Sequence, residues 1–264
     1  MPSPTMPSFA DRSQPIENLK IGDKEVHLWW GTDEASDEQL SLLSQLLSET
    51  ERIRAVRYHF PIDRRRFVVR HGVLRSLIGR YLSIDPKQIT YHVNGYGKPF
   101  IESSSQEISL LFNLSYSNQM VLYAFTRGRR IGVDIEFMKS FPDMDTVAQN
   151  FFSSKEIAEL NALPTCQRQE AFYKCWTQKE AFVKALGDGL SRRLDQFDVS
   201  VIPGTPAELK STAWDQYEAA RWSLKTLTLV PGYTASLAVE GSGWSLSRSQ
   251  ITSGTAVVPN NWTM

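Results

Sequence analysis

Arg130-Ile131-Gly132-Val133-Asp134-Ile135-Glu136 alternates apolar and acidic residues near the middle of the chain. A period of two marks a β-strand. Val133 and Ile135 then face a core, and Asp134 and Glu136 share the opposite face. Two carboxylates on one face repel each other unless a cation or basic groups lie between them. Hard oxygens of this kind suit magnesium, which takes one or two carboxylates and completes its octahedron with phosphate oxygens and water. The pattern equally allows a strand with a solvated acidic face.

Working outward, Arg127-Gly128-Arg129 turns the chain into this strand from two others, Leu110–Leu114 and Met120–Phe125. Upstream lie a turn at Asn94-Gly95-Tyr96-Gly97 and a short strand at Ile89–Val93. A long helix opens at Pro61 and ends before Asp85-Pro86, with Phe67, Leu74 and Ile78 on its buried side. Two shorter helices precede it, one capped by Ser36 and one over Ser48–His59, after a strand at Lys24–Trp30. Downstream, Ser153-Ser154-Lys155-Glu156 is a capping box that opens a helix to about Leu163. A longer helix, Gln167–Leu186, is stopped by Gly187-Asp188-Gly189. Strands follow near Phe197–Val201, Arg221–Leu229 and Tyr233–Val239. Each half thus has one long helix followed by antiparallel strands. The expected fold class is α+β, with two similar pseudo-twofold-related lobes, each an antiparallel sheet packed with a long helix. The expected divisions are a disordered extension over 1–20, lobes over 21–128 and 129–243, and a loose Ser- and Thr-rich tail over 244–264.

Composition narrows the classes. The chain has 264 residues, 41% hydrophobic and 22% charged, which suits a globular protein with a sizeable core. Lys plus Arg and Asp plus Glu number 29 each, so no general nucleic-acid coat is expected. Two cysteines, Cys166 and Cys175, are too few for a disulfide scaffold and lack a zinc spacing, as expected of reduced thiols in a cytoplasmic protein. No run approaches the ~20 apolar residues of a membrane span, and the N-terminus lacks the apolar core of a signal peptide.

Four further signals carry chemistry. In Trp176-Thr177-Gln178-Lys179-Glu180-Ala181-Phe182-Val183-Lys184, residues 176, 180 and 184 share one helical stripe, where a surface Glu180–Lys184 pair is the plainest reading. Gly97-Lys98-Pro99 puts a lysine beside a pinned backbone, a natural anion contact. Phe112-Asn113-Leu114-Ser115-Tyr116-Ser117 puts small hydroxyls at a strand end. Arginines from Arg52 to Arg70 either hold a phosphate or form a solvated face. The four histidines make no metal spacing, and there is no phosphate-cradling glycine loop or dinucleotide fingerprint.

Taken in order, the arginine-rich helix, GKP, FNLS-x-S, GVDIE and W-x-x-K-E-A-x-x-K-A-x-G-x-G-L resemble the Sfp-type 4'-phosphopantetheinyl transferases from about Glu25 to Glu240, closest in flavour to cyanobacterial members. The resemblance implies two fused lobes holding coenzyme A and magnesium between them. It implies Asp134, Glu136 and Glu180 as metal ligands, and Glu180 with Lys184 as the catalytic pair. It implies Lys98, Ser115, Arg54 and Arg66 as coenzyme A contacts, the arginines meeting the 3'-phosphate. Tyr116 departs from the pattern, since the family usually has a phosphate-contacting histidine there. A tyrosine donates a hydrogen bond but carries no positive charge at neutral pH.

The activity so implied is transfer of phosphopantetheine from coenzyme A to a serine of an apo acyl or peptidyl carrier protein, releasing 3',5'-ADP, by a cytoplasmic monomer without nucleic-acid or membrane partners. A magnesium-dependent pyrophosphate hydrolase and a non-catalytic carrier-binding module are the alternatives. A carrier is expected to dock on a rim from Phe141 to Leu163, with Phe141, Met144, Phe151 and Phe152 as anchors and Lys139 and Lys155 as charges.

Overall fold

A computed structural model describes residues 18–101, 109–187, 189 and 192–251. In chain order the elements are β1 (Glu25–Thr32), α1 (Asp37–Leu46), α2 (Glu49–Val56), α3 (Pro61–Leu82), β2 (His92–Val93), β3 (Pro99–Phe100), β4 (Leu110–Ser117), β5 (Met120–Arg127), β6 (Ile131–Phe137), α4 (Met144–Phe151), α5 (Ser154–Ala162), α6 (Thr165–Leu186), β7 (Phe197–Val199), β8 (Leu209–Thr212), β9 (Trp222–Leu227), β10 (Tyr233–Glu240) and β11 (Ser245–Gln250). Among the described residues no helix is long and apolar enough to cross a membrane.

Two sheets organise the molecule, one ordered β11-β1-β5-β4 and the other β6-β10-β9. Without β11 their plans coincide: the first strand pairs with the third, and the third with the second. β1, α3, β4 and β5 make one lobe, and β6, α6, β9 and β10 repeat the arrangement. The α+β fold of two similar lobes is therefore what the sequence led us to expect.

Each sheet packs a long helix on its outer face. Phe67, Leu74 and Ile78 of α3 meet Trp29, Phe112, Tyr123 and Phe125. Phe172 and Phe182 of α6 share a core with Phe197, Trp222 and Leu224. The inner faces meet through Leu28 and Leu122 on one side and Val133, Ile135 and Leu237 on the other. β5 is buried on both faces, which accounts for its unbroken apolar run.

The lobes also share a buried knot. Glu51 caps α2 and accepts from Arg75 Nε at 2.5 Å, while Arg75 Nη1 donates to the carbonyls of Pro86 and Ile89. Glu156 caps α5 and meets Lys179 Nζ at 2.8 Å, while Lys179 donates to the carbonyls of Leu194 and Phe197. In each case a capping-box glutamate and a cation of the long helix grip the turn that leaves that helix.

The ends of the chain differ from expectation. Ser245–Gln250 is a strand parallel to β1, and Ile251 N donates to Trp30 O at 2.7 Å. Its side chains are mostly exposed and polar, so the main chain holds it and no apolar alternation announces it. The tail is thus ordered to Ile251, and 252–264 lie outside the described residues. At the other end, Leu19 packs against the α3 core and its N–H bonds Arg80 O, so the chain is engaged before residue 21; the remaining extension, 1–17, lies outside the described residues.

Candidate active site

β4 and β6 lie edge to edge, one from each sheet, and side chains join them. Asn113 Oδ1 accepts from Val133 N at 2.8 Å, Ser115 Oγ donates to Asp134 Oδ1 at 2.9 Å, and Ser117 Oγ donates to Glu136 Oε2 at 2.7 Å. Residues 113, 115 and 117 share one strand face. The hydroxyls of Ser115 and Ser117 close β4, at the strand end where the sequence led us to expect them.

The acidic face of β6 is covered by α6. A Cβ on Gly132 would lie 2.1 Å from Ala181 O, so only glycine lets helix and strand approach this closely. That approach buries Asp134, which excludes the solvated acidic face. Lys184 turns towards the strand, not towards Glu180: its Nζ lies 2.6 Å from Asp134 Oδ1 and 2.9 Å from Ser115 Oγ. Asp134 Oδ2 is buried without a partner.

Electrostatics follow from this packing. Burial pushes the Asp134 carboxyl up despite the pull of Lys184 and the Ser115 bond. Glu136 is raised by burial and then by Asp134, against its Ser117 bond. Glu180 is raised by burial and by both neighbouring carboxylates. Glu136 and Glu180 stay raised by their carboxylate neighbours although Lys184 pulls on both, so one ammonium does not balance the three carboxylates. Among the described residues no three His, Cys, Asp or Glu side chains form a ready metal cage. The unpartnered Asp134 oxygen beside two destabilised carboxylates nevertheless fits a hard divalent ion, which asks few ligands of the protein.

On the first lobe, a cavity of about 480 Å³ is lined by Arg54, His71, Lys87, Gly97, Pro99 and Leu114, among others. Arg66 lies outside that lining, 3.6 Å from the buried Asp33, whose carboxylate Arg70 also grips. Arg70 stacks its guanidinium 3.5 Å from the centre of the Tyr116 ring, which is half exposed. The expected phosphate contacts therefore divide: Arg54 faces the cavity, Tyr116 and Arg66 stand about Arg70 and Asp33, and Ser115 is with the carboxylates. Lys98 joins neither group, for its side chain runs to the end of α6.

The sequence did not single out Gly132, Arg70, Asn113 or Ser117 for these roles. The N-x-S-x-S alternation of β4 was the available signal for the last two. Of the expected docking rim, Phe141 and Phe152 pack on Phe172, and Lys155 pairs with Asp198 at 2.9 Å. Phe151 stays exposed, edge-on to Trp176.

Comparison with known proteins agrees with this geometry. Residues 130–238 match the 4'-phosphopantetheinyl transferase superfamily, and residues 30–127 match the 4'-phosphopantetheinyl transferase N-terminal family. The chain belongs to the 4'-phosphopantetheinyl transferases. Among individual relatives it is similar to the 4'-phosphopantetheinyl transferase HetI of Nostoc sp., 38% identical over 86% of this chain and 92% of that one. It is also similar to the transferases psf-1 of Bacillus pumilus (34% identical, 67% of this chain and 74% of that one) and Sfp of Bacillus subtilis (33%, 62% and 70%).

Proposed function

We propose that this protein moves the 4'-phosphopantetheine arm of coenzyme A onto a serine hydroxyl of an apo acyl or peptidyl carrier protein and releases 3',5'-ADP. The carrying observation is the burial of Asp134 with one unpartnered oxygen, flanked by Glu136, Glu180 and Lys184. Asp134, Glu136 and Glu180 are the residues that would hold magnesium. When bound, that ion neutralises pyrophosphate charge and orients the phosphorus for in-line attack.

The chain's own groups complete the reaction. The carrier serine oxygen forms a bond to the phosphorus of the pantetheine phosphate as the bond to the 3',5'-ADP oxygen breaks. Glu180 is the base that takes the serine proton. Lys184 stabilises the leaving phosphate. Arg54, with Arg66 and Tyr116, receives the nucleotide end of coenzyme A, the 3'-phosphate falling to the arginines. Ser115 orients Asp134 and Lys184 from beneath. Phe151 and Trp176 offer the apolar part of a carrier-docking rim, with Lys139 for charge. The free thiols Cys166 and Cys175 suit a reducing compartment such as the cytoplasm.

The test is to incubate the protein with coenzyme A, magnesium and an apo carrier, then weigh the carrier. Gain of the phosphopantetheine mass on the serine supports transfer. Hydrolysis of coenzyme A with no mass gain points to the hydrolase, and no reaction to a binding module.

A further inference from the structure

Lys98 sits between Gly97 and Pro99, which line the cavity of the first lobe. Its own side chain crosses to the second lobe. Nζ donates to Lys184 O at 2.6 Å, to Ile131 O at 3.0 Å and to Ala185 O at 3.4 Å. An ammonium has three donors, and three carbonyls face it. Two of them end α6, where main-chain oxygens lack helical partners and the helix dipole favours a cation. The third stands in β6 three residues before Asp134. Asn94 strengthens the same junction: its Nδ2 donates to Gly187 O at 2.7 Å, and its Oδ1 accepts from the N–H groups of Tyr96 and Lys98.

We infer that Lys98 is a positioning residue for transfer: it fixes the helix bearing Glu180 and Lys184 against the strand bearing Asp134 and Glu136, and does not bind coenzyme A. This rests on the transfer reading above. The close approach of Gly132 to Ala181 and Ala185 sets the separation of strand and helix. The Lys98 clamp ties the same last turn of the helix to Ile131 of the strand by hydrogen bonds. It holds the Lys184 main chain, from which the ammonium must reach Asp134 and Ser115. Burial, and then Arg130, brings the Lys98 pKa down to about 8. In the GKP motif, then, the flanking residues face the cavity and the lysine aligns the catalytic helix.

Lys98→Met keeps the aliphatic stem and removes the clamp. For an inference of misalignment, kcat per folded molecule should fall about 10- to 100-fold, while KM and Kd for coenzyme A stay within about two-fold. The same substitution in a Lys184→Ala background should cost less than in the wild type, because only Glu180 is then left to be aligned. A rise in coenzyme A Kd with kcat kept would make Lys98 a ligand and overturn the inference. An undiminished kcat per folded molecule, or an equal loss in both backgrounds, would reduce Lys98 to a purely structural residue and overturn it too. If the methionine variant does not fold, Lys98→Gln, which keeps two donors, is taken through the same comparison. Failure of the wild type to load any carrier would instead overturn the transfer reading; the coenzyme A Kd would still decide whether Lys98 is a ligand.

Discussion

Arg75 and Lys179 hold equivalent places in the two lobes, each buried on the long helix, paired to a capping-box glutamate and donating to two carbonyls of the following turn. Lys179 belongs to the Trp176–Lys184 motif, yet its work is done inside the protein, one residue from Glu180. Removing one member of a buried pair leaves the other charge without compensation, at a cost of about 3–5 kcal/mol. Arg75→Met and Lys179→Met should each lower unfolding stability by about that much in urea titrations. An unchanged midpoint for either would show that its glutamate is satisfied in another way.

Acid should act on the same knot. Burial alone would raise Glu51, but His71, the Ser48 N–H, Arg75 and the Ser48 hydroxyl outweigh it and bring the carboxyl from 4.5 to about 2. A depressed carboxylate stabilises the fold fully above its unfolded value and loses that contribution as pH falls through the folded one. Wild type should therefore lose stability from about pH 4.5 down to about 2, and Glu51→Gln should flatten that limb. Parallel acid limbs in stability measured against pH would place the linked group elsewhere.

Asp134→Asn separates function from folding. Burial disfavours the Asp134 charge and the Lys184 pair favours it, and the half-open Lys184 can turn to water, so a neutral amide should leave the protein folded. Carrier modification should fall about 100-fold or more, the scale of losing a fixed electrostatic contributor. A variant that loads carriers at the wild-type rate would remove Asp134 from the reacting centre.

Tyr116 stands where the family usually has histidine, and Arg70 lies under its ring. A guanidinium beneath a tyrosine face is attractive, worth about 0.5–2 kcal/mol, whereas beneath an imidazolium it is repulsive. Tyr116→His should not tighten coenzyme A binding at pH 6, and Tyr116→His with Arg70→Gln should bind more tightly than Tyr116→His alone there. Calorimetric Kd values showing tight binding by the single variant would mean that Arg70 does not control this position.

The alternation in Gly132–Glu136 was enough to set a strand, its inward faces and its acidic pair, because strand periodicity is a local property of the chain. The cap at Ser36, the capping box at Ser153 and the left-handed Gly187 likewise fixed helix ends from neighbouring residues. The repeated order of helix and strands made the two lobes legible, and the order of motifs made the family legible. Tertiary structure alone decided which partners meet. Lys184 is one turn from Glu180 in sequence, but the contact at Gly132 brings Asp134 within its reach. Lys98 reads as an anion contact until α6 ends beside it and offers carbonyls in place of a phosphate. β11 has no apolar alternation, since an edge strand held by main-chain hydrogen bonds needs none. Short-range rules settle the identity of each element; the charges and hydrogen bonds of a site depend on residues distant in the chain, and only packing brings those together.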